Sequence, residues 1–73
     1  MTIHRMLQNV PLGPERIAEL VEAYQMTLKR LNLVERDDSM TQMIAKKIID
    51  VGQTGVRDTK DISQLAIKHL GLE

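Results

Sequence analysis

The chain contains no cysteine, tryptophan or phenylalanine, a single tyrosine (Tyr24) and no excess of either charge, with ten lysine and arginine residues against ten aspartate and glutamate. Each absence excludes something. Without cysteine there is no disulfide framework of the small secreted kind, and a reducing compartment is the natural setting. With His4 and His69 as the only imidazoles, a four-ligand structural zinc site cannot be assembled. One aromatic ring is too few for a base-stacking platform, and a neutral chain lacks the cationic surplus that phosphates demand, so nucleic acid is disfavoured as a partner. No apolar run approaches the ~18 residues of a membrane span. Residues 1–10 are interrupted by His4, Arg5, Gln8 and Asn9 and give no signal-peptide core. A cytoplasmic location without membrane contact is the expectation.

What is present is an aliphatic pattern with helical spacing. At 73 residues the chain is one small domain, which buries only about 60% of the surface its unfolded form exposes. Ile17, Leu20, Val21, Tyr24, Leu28 and Leu31 repeat with the α-helical period, and Pro14 suits the first helical position. The first long helix is expected over 14–31, ended by Asn32 in a left-handed conformation. Ser39 and Gln42 fit a capping box, with Asp37 and Asp38 adding charge suited to a helix start. From there Met40, Met43, Ile44, Ile48 and Val51 read as the buried stripe of a second helix over 39–52, ended by Gly52 or Gly55. A third helix follows over 59–70, capped by Asp58 or Thr59, with Ile62, Leu65, Ala66 and Leu70 on one face and Gly71 past its end. The expected fold is all-α: a small three-helix bundle (residues 14–73) preceded by an N-terminal arm (1–13). Ile3, Met6, Leu7 and Val10 would allow the arm a short helical turn, stopped by Pro11.

The most motif-like string is the connector Gly52-Gln53-Thr54-Gly55-Val56-Arg57-Asp58. A Gly-x-x-Gly loop can present backbone N–H groups to phosphate, but the module that does so also needs a β-sheet, for which there is no signal. A helix end followed by a turn explains the glycines more simply. As the turn of a helix-turn-helix the connector is too long, at seven residues against about 3–4. Arg57 is a candidate contact for a carboxylate or phosphate; tying its own loop together is the plainer role. No catalytic residue, cofactor-binding residue or metal ligand stands out. There is no cysteine nucleophile, no serine–histidine–acid relation is readable, and so small a core leaves little room for a small-molecule substrate.

The run Ile44-Ala45-Lys46-Lys47-Ile48-Ile49-Asp50-Val51-Gly52-Gln53-Thr54-Gly55-Val56-Arg57-Asp58, with Ile62 to Leu70 after it, resembles a group of short bacterial proteins that share an "AKKII" helix and a "GQTG-RD" connector. The likeness extends over nearly all of the chain from Gly13. Those proteins often carry proline after the aspartate, where this chain has Thr59; both residues suit a helix start. The resemblance implies a discrete helical domain and brings no established activity with it.

The arm and both longer helices carry more apolar groups than three helices easily enclose. This leads to the expectation of a non-enzymatic protein–protein interaction module, either a homo-oligomer (a dimer) or an adaptor to a cytosolic protein. The candidate contact residues are Met6, Leu7, Met40 and Met43, together with Gly52, Gln53, Thr54, Gly55, Arg57 and Asp58 of the connector. The alternative is a small nucleic-acid-binding regulator that uses the third helix and residues 52–58.

Overall fold

A chain with this little aromatic volume closes its core by bringing helices close together, and small residues fall where that requires them. In the computed structural model, which describes residues 2–35 and 38–71, four helices form: α1 (Thr2–Leu7), α2 (Pro14–Arg30), α3 (Ser39–Gln53) and α4 (Thr59–Leu70). No strand occurs among the described residues. The Cα radius of gyration is 10.8 Å, close to the ~11 Å expected of a folded chain of this length.

Local chemistry sets most of the helix limits. Pro14 opens α2 behind Gly13, and Asn32 leaves it at φ 60°. Asp58 caps α4, its carboxylate accepting from the N–H groups of Lys60 and Asp61, and Gly71 closes it at φ 69°. The start of α3 differs from the expectation. Asp38, not Ser39, is the N-cap, and the reciprocal partner is Thr41, not Gln42: Asp38 Oδ1 accepts from Thr41 N–H at 2.9 Å while Thr41 Oγ1 accepts from Asp38 N–H at 3.1 Å. An aspartate one residue earlier offers a charged acceptor to the helix start, so the cap moves back by one. The other expected acidic contributor, Asp37, lies outside the described residues.

The displaced cap accompanies a different inward face. Thr41, Ile44, Ala45, Ile48, Ile49, Val51 and Gly52 are buried, whereas Met40 and Met43, expected in the core stripe, are 39% and 43% exposed. On α2 the inward face likewise runs through Ala23 and Thr27 beside Leu20, Tyr24 and Leu28. There Thr27 Oγ1 donates to the Ala23 carbonyl at 2.7 Å and lies 2.7 Å from Ser63 Oγ of α4, both hydroxyls buried. Since the threonine proton goes to Ala23, Ser63 is the donor across the helix pair. Ala23, Thr27, Ser63 and Ala66 keep α2 and α4 close, and the hydroxyl pair satisfies the polar atoms this contact buries.

The N-terminal segment is part of this core. Ile3 and Leu7 are 0% and 3% exposed, and α1 packs on both α2 and α3. Leu7, a candidate contact residue, is therefore interior, and Met6 is half-buried against the same cluster. Six residues cannot sustain an isolated helix; α1 is held by the area it buries.

Gly52 is likewise interior. It lies in the last turn of α3, buried, where an added Cβ would stand 2.3 Å from Leu20 Cδ2. Leu20 is itself fully enclosed. Gly52→Ala should therefore destabilise by about 1–2 kcal/mol despite alanine's better helix propensity. Urea unfolding checks this, and in a Leu20→Val background the same change should cost less.

Candidate interaction surface

The connector is held from outside itself. Arg16, in the first turn of α2, donates from one guanidinium nitrogen to the carbonyls of Gly52 and Val56 and from the other to Glu19 Oε2 at 2.8 Å. The last carbonyls of a helix have no intrahelical partner and carry the negative end of its dipole. A guanidinium that meets the Gly52 carbonyl satisfies one of them with a charge of the favourable sign. The Val51 carbonyl is satisfied as well, accepting from Thr54 N–H at 3.1 Å and Thr54 Oγ1 at 2.6 Å. Gly55 then turns the chain at φ 101°, where a residue with a Cβ would be strained.

These roles divide the expected contact residues. Gly52 is packed, Thr54 caps α3, Gly55 makes the turn and Asp58 caps α4. Gln53 and Arg57 are exposed. Arg57 makes no ion pair with any described residue, and Arg16 performs the loop-tying role expected of it. The hint in the sequence was electrostatic: Arg16 is a cation in the positively polarised first turn of a helix, a placement that calls for a specific partner.

A second fastening sets the link between α2 and α3. After Asn32, Leu33 turns inward, its N–H bonded to the Leu28 carbonyl at 2.8 Å, and Val34 turns outward. Glu35 turns back, accepting the Thr2 N–H at 3.0 Å on one oxygen and the Tyr24 hydroxyl on the other. Burial pushes the Tyr24 phenol well above its ordinary value, and the Glu35 carboxylate adds to that shift. For Glu35 itself, partial burial raises the pKa, but the bonds from Thr2 and Tyr24 outweigh it and the net shift is downward. One carboxylate thus joins the start of α1, the middle of α2 and the link before α3.

With the link so fixed, Val34 is 68% exposed, and together with Met40 and Met43 it makes up the large exposed hydrophobic residues among those described. Asn32, Leu33, Val34, Asp38, Met40 and Thr41 line a shallow hollow of about 240 Å³. A further depression of about 360 Å³, lined by Val56, Asp61, Gln64, Leu65 and Lys68, lies on the outer side of α4. Among the described residues no group of three or more histidine or carboxylate side chains could hold a metal ion. No described helix is long and apolar enough to cross a membrane.

Two stability measurements test the fastenings. Arg16→Ala should lose about 1.5–3 kcal/mol, because it removes charged hydrogen bonds at a helix end, whereas Arg57→Ala should change stability by less than about 0.5 kcal/mol. For Glu35, a folded pKa below the ordinary 4.5 means its contribution is complete above that value and is lost as pH falls through the lower folded value. Glu35→Gln should therefore flatten the acid limb of a pH–stability profile and leave the shape of its neutral range unchanged.

No family model, curated protein or solved structure matches the chain.

Proposed function

We propose that the chain is a non-enzymatic protein–protein interaction module, acting by self-association or as an adaptor to a larger protein, and that Val34, Met40 and Met43 form its partner-facing surface. One observation carries this reading: in a domain that draws even its N-terminal helix into the core, these three apolar side chains stay exposed, Val34 and Met40 on one hollow and Met43 three residues on from Met40 along α3. Unbranched, polarisable methionines repack against partners of varied shape, and a clustered apolar patch commonly marks a partner surface. The surplus of apolar groups expected from the sequence is smaller than it first looks, because Ile3 and Leu7 are enclosed within the chain itself. What remains outside is concentrated at the link and the start of α3.

The alternative, a nucleic-acid-binding regulator acting through α4 and residues 52–58, has less behind it. Gly52 and Gly55 are engaged in packing and turning. The exposed surface of α4 alternates Lys60 and Lys68 with Asp61, which phosphates would meet unfavourably. The resemblance of residues 44–58 to short bacterial proteins carries no activity with it and does not alter the choice.

A Met40→Ser, Met43→Ser variant should keep the circular dichroism and urea midpoint of the wild type, since both side chains lie outside the core. It should lose the proteins that the wild-type chain captures from native cell extract. A variant that captures the same proteins, and shows the same mass in solution, as the wild type overturns the assignment of this surface.

A further inference from the structure

We propose that the outward face of α4 pairs with the same face of a second copy of this chain, antiparallel about a two-fold axis. The inference rests on the reading of the chain as an interaction module but uses a different surface from the methionine patch. Asp61, Gln64, Leu65 and Lys68 recur at intervals of three and four residues, so they line one side of α4, and with Val56 of the connector they enclose the depression of about 360 Å³. Leu65 and Val56 have their inner sides on the core and their outer sides toward solvent. The middle of the face therefore holds Leu65 and Val56 beside the uncharged Gln64, and its ends are charged.

The order of those charges selects the partner. A two-fold interface must be complementary to itself, residue i meeting j while j meets i. An axis between Gln64 and Leu65 lies midway between Asp61 and Lys68, about 5 Å along the helix from each. It sets Asp61 of one copy level with Lys68 of the other, twice over. A parallel arrangement would instead oppose Asp61 to Asp61 and Lys68 to Lys68. Neither side chain makes an ion pair with a described residue of its own chain, so both are available. Antiparallel helices also bring opposite dipole ends together. A face of about two turns falls short of the ~800 Å² per partner of a standard interface, so the dimer is weak, concentration-dependent and sensitive to salt.

Sedimentation equilibrium over about a hundredfold range of concentration tests this at low and high salt. At low salt the mass should rise from 8.3 kDa towards twice that value. Asp61→Lys and Lys68→Asp should each weaken association by about tenfold or more, because each sets two like charges face to face. The double exchange, Asp61→Lys with Lys68→Asp, should restore association to within a few-fold of the wild type. Both side chains involved are solvent-facing, and circular dichroism confirms that the variants remain helical. A monomer at every concentration, or a double exchange no better than the single ones, overturns the proposal. Should Met40→Ser, Met43→Ser abolish the dimer while Asp61→Lys leaves it intact, the dimer lies on the methionine surface; the α4 proposal then fails and the assignment of the partner-facing surface stands.

Discussion

The fold depends on how little interior a 73-residue chain can offer. Folding has to offset the conformational entropy of every ordered residue with a core that grows only slowly with length. Here even the N-terminal six-residue helix contributes fully enclosed side chains. Its attachment has two parts: Ile3 and Leu7 supply apolar area, and the Thr2–Glu35–Tyr24 bonds fix where that area docks. A helix too short to stand alone is kept by a carboxylate that comes from a link elsewhere in the sequence.

Close packing of small residues complements this. Ala23, Thr27, Ser63 and Ala66 bring α2 against α4, and Gly52 admits Leu20 between α2 and α3. Backbones that approach this closely bury polar atoms, and side chains satisfy several of them. The Thr27 hydroxyl returns to its own helix and receives Ser63, and Arg16 reaches the open carbonyls at the end of α3. A connector that reads as a phosphate loop is thus a helix end made tight by a glycine and fastened by an arginine.

The exposed surface has a different logic. With the link held inward at Leu33 and Glu35, Val34 has no interior to enter, and the cap at Asp38 goes with a first turn of α3 in which Thr41 faces inward while Met40 and Met43 face out. The proposed partner surface follows from the same two fastenings that close the core. A change at Glu35 or Asp38 would therefore reshape that surface without touching any of its apolar side chains.

Much of this was determined by the sequence alone. Helical periodicity, Pro14, Asn32, Asp58 and Gly71 act through contacts within a turn or two, so the all-α class and most helix limits are legible from neighbours along the chain. Tertiary structure decided the remainder. A stripe of apolar residues spans more of a helix than the part that is finally enclosed, and only the partner helix chooses between Met40 and Thr41, or between Val21 and Ala23. The role of Gly52 depended on Leu20, that of Arg16 on two carbonyls about forty positions away, and that of Glu35 on the first residues of the chain. Local rules fix which turns a residue can make; which surface it meets is set by packing between segments far apart in sequence, and that is where the candidate partner surfaces arise.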